Sequence, residues 1–191
     1  GLVRAERTQS HRGPDQRGIM IARHGLHYVG LGHQRLSIID LSDAGRQPMV
    51  LRDDSGLIVG AICYNGEIYN YLELRKELQR EGMRFYSNTD TEVVLGALSF
   101  WGVEKALSSF NGMWAFVWID ALRKKVVVAR DRAGIKPLYY FQDRCGLYFA
   151  SEIKAVLEMV GRKFSLQLQA VKEYLQQSLL FSSRDTMFEN I

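Results

Sequence analysis

Short runs of β-branched and aromatic residues, separated by turn-forming Gly and Asp, constrain the fold of this chain more than any other feature. Seven such runs occur, at residues 19–22, 26–31, 57–64, 114–119, 125–129, 137–141 and 147–150. Runs of this length and composition are typical of β-strands. The last four runs form two pairs with short, turn-rich connections, so each pair predicts an antiparallel hairpin.

Helical spacing predicts four helices, at residues 70–82, from 89 onwards, at 151–159 and at 167–177. In the first of them, Tyr71, Leu74 and Leu78 fall at positions i, i+3 and i+7, and charged residues fill the opposite face. The second begins at Thr89, which has capping-box spacing with Glu92. Because strands outnumber helices and come mostly as hairpins, the sequence predicts an α+β domain in which helices pack outside antiparallel sheets.

The composition fits one soluble globular domain and excludes several other classes. The chain has 191 residues, of which 47% are hydrophobic and 24% charged, which is enough to bury a core and atypical of disordered chains. No apolar run approaches the ~20 residues that a membrane-spanning helix needs. Only two cysteines, Cys63 and Cys145, and no Asn-x-Ser/Thr sequon occur, which favours a reducing, cytoplasmic location. The net charge of +4 is too small to favour nucleic acid as a partner.

The segment Asn65-Gly66-Glu67 follows the apolar run 57–64 and has two interpretations. Asn-Gly after a strand is most often a plain turn. Alternatively, the Asn side-chain amide and the adjacent glycine N–H form a pair of hydrogen-bond donors, because a glycine lets a ligand approach the backbone closely. Such a pair stabilises the oxyanion of acyl transfer. On these residues alone, both interpretations stay open.

Arg35 and Asp90 form a second candidate pair. Arg35 lies in the apolar stretch 33–40, where a buried charge needs a partner, either Asp40 or another carboxylate of the protein, or the carboxylate of a substrate. Asp90 lies where the second helix begins, which fits either a carboxylate that stabilises the helix or a group that binds a substrate ammonium. Taken together, Arg35 and Asp90 would bind the two charged groups of an amino acid.

The other reactive side chains give weaker indications. The four histidines lack Cys or carboxylate residues at metal-ligand spacing, so no metal site is expected. Cys63 lies in an apolar run and fits an inert buried thiol. The polar segment 130–137 lacks the Gly-Lys-Ser/Thr ending of a phosphate loop and is interpreted as a structural corner.

Seven segments in one order carry a further indication. They are His-Arg-Gly-Pro-Asp (11–15), the run 33–40, Asn-Gly-Glu-Ile-Tyr-Asn (65–70), Thr-Asp-Thr-Glu (89–92), Asn-Gly-Met-Trp-Ala-Phe (111–116), the run 130–140 and Ser-Glu-Ile-Lys-Ala (151–155). Together they resemble the glutaminase domain, a class II glutamine amidotransferase, of glutamine-hydrolysing asparagine synthetases. One of these motifs would be weak evidence, but seven in register are specific and extend over nearly the whole chain.

This resemblance implies the four-layer αββα fold of N-terminal-nucleophile hydrolases and a site for glutamine. Carried over by position, Arg35 would bind the glutamine carboxylate, and Ile38 and Ile39 would line the pocket. Asn65 and Gly66 would form the oxyanion hole. The oxyanion interpretation of the Asn-Gly pair agrees with this assignment.

The resemblance also assigns the amino-group site and the nucleophile. Glu67 and Asp90 would bind the amino group of glutamine. In the family the attacking group is an N-terminal cysteine whose own α-amine acts as base. This sequence begins with Gly1, and neither Cys63 nor Cys145 carries an α-amine. We therefore expect a pocket and an oxyanion hole without the attacking group, and no glutamine hydrolysis by this chain.

Domain organisation and partners follow from the same resemblance. Residues 1–160 would be an N-terminally incomplete amidotransferase domain, and residues 161–191 a helix and linker leading to an absent synthetase domain. That absent domain would bind ATP and Mg and amidate aspartate with the ammonia, whereas this one would need no cofactor. The expected partners are glutamine and the synthetase domain of the same chain, with neither nucleic acid nor membrane; a homodimer stays open. A catalytically inert amidotransferase-like module and a different amide acceptor are the alternatives.

Overall fold

The chain forms two compact units in the computed structural model. The residues that the structure describes are 1–24, 27–178, 180 and 185–191. The larger unit consists of residues 9–137, and the smaller unit joins residues 1–8 to residues 138–191. Each unit has a hydrophobic core of its own. Leu26, with which one predicted strand begins, lies outside the described residues.

Six helices and eight strands form from the described residues. The helices are α1 (Leu2–Thr8), α2 (Tyr71–Arg80), α3 (Asp90–Trp101), α4 (Val103–Ser109), α5 (Ile153–Val160) and α6 (Leu168–Gln177). The strands are β1 (Gln16–His24), β2 (His27–Arg35), β3 (Met49–Arg52), β4 (Ile58–Ile68), β5 (Gly112–Asp120), β6 (Lys125–Arg130), β7 (Tyr139–Gln142) and β8 (Leu147–Ala150). None of the helices in these ranges is long and apolar enough to cross a membrane.

The larger unit contains two antiparallel sheets. One has four strands in the order β3-β4-β5-β6, and the other is the hairpin of β1 and β2. β4 and β5 pair from Gly60 opposite Asp120 to Ile68 opposite Gly112. The pairing of β3 with β4 stops at Ile62, so β4 extends well beyond β3. These sheets and the helices beside them confirm the predicted α+β class.

Alternation along β4 sends successive side chains to opposite faces of the sheet. Ile62, Tyr64 and Ile68 are at most 3% exposed and pack in one core with the apolar residues of α2 and α3. Cys63 faces the other way, with its Sγ 3.8 Å from the carbonyl oxygen of Gly32 in β2. Helices therefore cover one face of β4, and the β1–β2 hairpin covers the other.

The start of α3 differs in one detail from the capping box that the sequence predicts. Thr89 is the N-cap, and its hydroxyl accepts a 2.8 Å hydrogen bond from the N–H of Thr91. The carboxylate of Glu92 does not return to the cap but accepts the N–H groups of Tyr86, at 2.9 Å, and Ser87, at 2.8 Å. Glu92 thus holds the loop that leads into α3, and the helix begins where the sequence predicts.

The smaller unit packs α1 and α5 with the β7–β8 hairpin. Phe141 of β7 is 2% exposed and meets the ring of Phe164 edge to face, with centroids 5.0 Å apart. The predicted helix near the end of the chain is present as α6, where Leu168 and Leu175 are exposed and Ala170 is buried.

Three elements, α1, β3 and α4, are absent from the prediction. All three have seven residues or fewer, which is too short for a hydrophobic period to stand out. α4 follows α3 after Gly102, whose φ of 80° separates the two helices. The strand predicted to start at residue 137 begins at Tyr139.

Candidate functional site

The Asn65-Gly66-Glu67 segment lies inside β4, which continues to Ile68. Its three residues pair in order with Ala115, Trp114 and Met113 of β5. The interpretation of Asn-Gly as a turn is therefore wrong, because the ladder with β5 passes straight through it. A strand position fixes the direction of each backbone group more closely than a turn would.

The N–H of Gly66 points to the edge of β4 that faces away from β5. Opposite Gly66, the N–H of Trp114 donates to Oδ2 of Asp131 at 3.2 Å, and its carbonyl oxygen accepts the N–H of Asp131 at 2.7 Å. Since Trp114 directs both backbone groups away from β4, it forms a non-hydrogen-bonded pair with Gly66, whose own groups then face outward too. On that edge β3 has already ended, because Met49 opposite Ile62 is its last pair. A backbone donor is thus presented beyond the end of β3.

The missing side chain of Gly66 serves the packing of β5. A Cβ at Gly66 would collide with the carbonyl oxygen of Met113 and lie 2.7 Å from Cα of Trp114. Gly112 has the same relation to β4, because a Cβ there would collide with the carbonyl oxygen of Glu67. The two glycines let the strands approach closely at this end of the ladder.

Tyr64 joins four parts of the larger unit. Its N–H donates to Oε1 of Gln47 at 2.7 Å, and its carbonyl oxygen accepts Nε2–H of both Gln47 and His33 at 3.1 Å. Its hydroxyl donates to Oδ2 of Asp90 at 2.9 Å. Neither Tyr64 nor Gln47 stands out in the sequence, because Tyr64 resembles any other residue of an apolar strand and a glutamine in a loop follows no local pattern.

Asp90 is the first residue of α3, and its carboxylate is held by β4. Oδ2 accepts the hydroxyl of Tyr64 and also the N–H of Ile68, the latter at 3.0 Å. Burial raises the pKa of Asp90 above its ordinary value, the hydrogen bonds from Ile68 and Tyr64 oppose that rise, and the charge of Glu67 adds to it. A cation placed beside this carboxylate would offset the cost of burying its charge.

Arg35 ends β2, is 6% exposed and makes its hydrogen bonds to neutral acceptors. Nη1 donates to Oε1 of Gln16 at 2.7 Å and to the carbonyl oxygen of Ser42 at 2.9 Å, and Nη2 donates to the carbonyl oxygen of Asp40. The Asp40 carboxylate, which the sequence offers as an ion partner, instead accepts the N–H groups of Ser42 and Asn88, both at 2.8 Å. The guanidinium is therefore oriented by these three neutral acceptors, and the charge of Arg35 acts on the Asp40 carboxylate only through space.

The candidate residues fall into two neighbouring groups. The first, at the end of β4 and the start of α3, consists of Asn65, Gly66, Glu67 and Asp90. The second, at the end of β2 and in the loop that follows, consists of Arg35, Ile38 and Ile39. Ile38 is 69% exposed, so its side chain is open to solvent rather than packed in a closed pocket. The hydrogen bond between His33 of β2 and Tyr64 of β4 joins the two groups.

Comparison of the whole sequence with known proteins shows the family of this chain. A family of proteins described as the glutamine amidotransferase domain matches residues 1–191 of the chain. The chain belongs to this family. The amidotransferase chain is 40% identical over 176 residues to a putative glutamine-hydrolyzing asparagine synthetase 2 of Methanocaldococcus jannaschii. The matched segment is 86% of this chain and 33% of that protein. The chain is 42% identical over 171 residues to the glutamine-hydrolyzing asparagine synthetase 1 of Bacillus subtilis, which covers 90% of the chain and 25% of that protein.

The chain therefore spans a quarter to a third of the length of these curated relatives. Among solved structures, the chain resembles the glutamine phosphoribosylpyrophosphate amidotransferase from B. subtilis in complex with ADP and GMP. The TM-score is 0.68 at 22% identity, over 85% of this chain and 41% of the other. At that identity the likeness concerns the fold. The predicted α+β fold class and the homology to asparagine synthetases are confirmed.

His33 is neutral near pH 7 in the amidotransferase chain. Burial lowers the pKa of His33 to about 4; the bond to Tyr64 opposes this shift, and the charge of Arg35 adds to it. The carbonyl oxygen of Tyr64 can only accept, so Nε2 carries the proton and Nδ1 is the acceptor. Within the described residues this buried Nδ1 has no hydrogen-bond partner. A neutral ring adds no second positive charge beside Arg35.

The two cysteines have different surroundings. Burial raises the pKa of Cys63 well above its ordinary value, and its thiol donates toward the carbonyl oxygen of Gly32. Cys145 is exposed in the turn of the β7–β8 hairpin, in the other unit. In the part of the chain that the structure describes, no group of three or more His, Cys, Asp or Glu residues could hold a metal ion.

The segment 130–137 is a structural corner, as predicted. Its centre is Asp131, whose carboxylate accepts the N–H groups of Ile135, at 2.8 Å, and Lys136, at 2.9 Å, besides that of Trp114. Burial opposes the ionisation of Asp131, but these backbone donors prevail and lower its pKa. The corner fixes the backbone of Trp114 and thereby, across the ladder, the outward direction of the Gly66 N–H.

Proposed function

We propose that this chain is the glutaminase domain of an asparagine synthetase. In that role it provides the glutamine site of the full-length protein, in which an N-terminal cysteine would release ammonia from glutamine for the ATP-dependent amidation of aspartate. The observation that carries the proposal is the backbone N–H of Gly66 on an edge of β4 left uncovered by β3, next to Asn65 and close to the buried carboxylate of Asp90. Two relatives that are named for glutamine hydrolysis support the choice of substrate.

The proposed site binds the two ends of glutamine separately. Arg35 binds the α-carboxylate. A guanidinium has five N–H donors, and three of them bind the acceptors that orient it, so two remain for the carboxylate. Asp90 and Glu67 bind the α-ammonium, whose charge relieves the burial of the Asp90 carboxylate. Ile38 and Ile39 line the side of the pocket next to Arg35.

The amide of glutamine is then placed for attack. Asn65 and Gly66 donate hydrogen bonds to the carbonyl oxygen, whose negative charge grows as a tetrahedral intermediate forms. The attacking thiol of this reaction type is an N-terminal cysteine with a free α-amine, since thiol and base on one residue are always close together. Cys63 is unsuited to that role because its thiol is buried and its pKa is raised.

ATP and Mg have no role in the glutaminase step as proposed. They belong to the synthesis of asparagine, which we assign to residues of the full-length protein outside these 191. This division agrees with the fraction of the curated relatives that the chain covers, about a quarter to a third.

Calorimetric titration with L-glutamine tests the proposal at the binding step. We expect saturable binding of L-glutamine, and at least tenfold weaker binding of D-glutamine, because inversion at Cα separates the ammonium from its carboxylates, at a cost of about 1.4 kcal/mol or more. Ammonia release is measured in parallel on the protein as its gene encodes it and on a form whose first residue is cysteine.

Three results are possible, and each decides between functions. Binding together with ammonia release supports the glutaminase. Binding in every form, without ammonia release in any, supports an inert amidotransferase-like module. The absence of L-glutamine binding at millimolar concentration would refute the site that we propose.

A further inference from the structure

We propose that Gln47 is a positioning residue of the oxyanion hole and acts through the backbone of Tyr64. This inference rests on the glutaminase function proposed for the same site. Gln47 lies two residues before Met49, the first residue of β3, and is 6% exposed. Its side chain forms hydrogen bonds with β4, the strand that carries Gly66, and with α3, the helix that carries Asp90. In this proposal Gln47 does not touch glutamine.

Gln47 replaces a neighbouring strand at the place where β3 ends. The last β4 residue that β3 covers is Ile62, and the next residue of β4 with backbone groups on that edge is Tyr64. There Oε1 of Gln47 accepts the N–H of Tyr64 at 2.7 Å, and Nε2 donates to its carbonyl oxygen at 3.1 Å. A side-chain amide thus supplies the two hydrogen bonds that a further residue of β3 would supply. Because the amide is buried, water competes poorly for these bonds.

The same amide reaches the start of α3. Nε2 of Gln47 lies 3.4 Å from Oγ1 of Thr91, the residue that follows Asp90. Gln47 therefore contacts both the β4 strand and the first turn of α3. A shift of Tyr64 away from α3 would have to break the bonds to Gln47 as well as the bond between Tyr64 and Asp90.

The N–H of Gly66 lies between two anchored positions on one edge. Tyr64, Gly66 and Ile68 are every second residue of β4, so their backbone N–H and C=O groups point to the same edge of the strand. Gln47 anchors Tyr64, and Asp90 anchors Ile68 through a 3.0 Å hydrogen bond from its N–H. Gly66 is thereby fixed from both directions while its N–H faces outward. A donor held in this way needs little reorganisation when an oxyanion forms beside it.

Gln47→Leu removes both bonds to Tyr64 at a similar side-chain volume. For glutamine hydrolysis by the protein as its gene encodes it, we expect kcat to fall about 10- to 100-fold, since a displacement of about 1 Å costs up to about 10²-fold in rate. KM should change by less than about threefold, because the oxyanion donors act in the transition state. Gln79→Leu, at an exposed position of α2, is the matched control and should retain both parameters.

Gln47→Glu separates positioning from a general loss of stability. The carboxylate still accepts the N–H of Tyr64, but near neutral pH its second oxygen opposes the carbonyl oxygen of Tyr64. A protonated carboxyl restores a donor there, and burial favours the protonated form. The ratio of the variant's kcat to that of the wild type should therefore rise as the pH falls from about 8 to about 6, which lost packing would not produce.

Amide exchange measured by NMR distinguishes failure of this inference from failure of the proposed function. If the wild type neither binds nor hydrolyses glutamine, the proposed function fails. Faster amide exchange at Tyr64 and a shifted Gly66 resonance in Gln47→Leu would then still support the inference that Gln47 positions this edge of β4. A Gly66 resonance that stays in place in both variants overturns the inference. So does a wild-type kcat in Gln47→Leu, or a pH-independent kcat ratio in Gln47→Glu.

Discussion

The hydroxyl of Tyr64 donates a 2.9 Å hydrogen bond to Oδ2 of Asp90 and so joins the middle of β4 to the first residue of α3. The same oxygen accepts the N–H of Ile68. Asp90 is thus a structural link and, in the proposed function, also a binding group for an ammonium. These two roles make opposite demands on its charge, because burial favours the neutral carboxyl and the ligand favours the carboxylate.

Asp90→Asn should stabilise the folded chain near pH 8 and weaken glutamine binding. An amide oxygen can accept the same two bonds without a buried charge. Burial raises the pKa of Asp90 in the folded state above its ordinary 3.8, so its contribution to stability is complete below pH 3.8 and is lost as the pH rises through the raised pKa. Urea unfolding at a series of pH values should show the advantage of the variant growing with pH. Calorimetry should show glutamine affinity reduced at least about tenfold, the usual cost of a charged hydrogen bond.

The control for this prediction is Asp54→Asn, at an exposed position of the β3–β4 connection. Its stability should follow the wild-type profile at every pH. If the free energy of unfolding of Asp90→Asn also had the pH dependence of the wild type, burial would not govern the ionisation of Asp90. The conflict between its two roles would then disappear.

Asp40→Asn should have the opposite effect. Hydrogen bonds from Ser42, first from its side chain, and from the N–H of Asn88 lower the pKa of Asp40 from 3.8 to about 2. The resulting stabilisation is present above pH 3.8 and is lost as the pH falls through about 2. The variant should therefore unfold at lower urea concentration than the wild type at pH 6, and the difference should close near pH 2. A difference that does not vary with pH would mean that the charge of Asp40 contributes nothing.

The parts of the fold that depend on local patterns could be predicted from the sequence. The β5–β6 and β7–β8 hairpins and the buried Leu74 and Leu78 of α2 are such parts. The end of β4 could not, because Asn-Gly is locally a turn pattern. What carries the strand through Asn65 is its pairing with β5, a partner some fifty residues away in sequence.

The contacts of the candidate site could not be predicted from local sequence either. Gln47 and His33 reach Tyr64 across 17 and 31 residues of sequence, and no periodicity connects residues that far apart. The roles carried over to Arg35 and Asp90 rest on their positions within motifs and stay predictions. What the structure adds is that both charged groups are buried and hydrogen-bonded, in orientations that local sequence does not reveal.

Gly66→Ala should destabilise the larger unit even without glutamine. The added Cβ would lie 2.7 Å from Cα of Trp114 and collide with the carbonyl oxygen of Met113, both of them backbone atoms that cannot rotate away. We expect a loss of about 1–3 kcal/mol in the free energy of unfolding, the range typical of overpacking. Gly146→Ala is the matched control, because the nearest atom to its Cβ would be 3.8 Å away on Tyr148. Equal urea midpoints for Gly66→Ala and the wild type would show that the strands can separate at little cost.

Arg35→Lys and Asn65→Ala should damage different kinetic parameters. A lysine keeps the charge but loses the fork that binds a carboxylate with two hydrogen bonds, and this contact is alike in the ground and transition states. KM for glutamine should therefore rise about tenfold in Arg35→Lys, with kcat largely kept. The oxyanion contact of Asn65 matters most in the transition state, so Asn65→Ala should lower kcat about 10²- to 10³-fold and leave KM nearly unchanged. Steady-state glutaminase assays of both variants check this, and circular dichroism verifies folding. The same parameter affected in both variants would contradict the separation of carboxylate binding from oxyanion stabilisation on which the proposed mechanism depends.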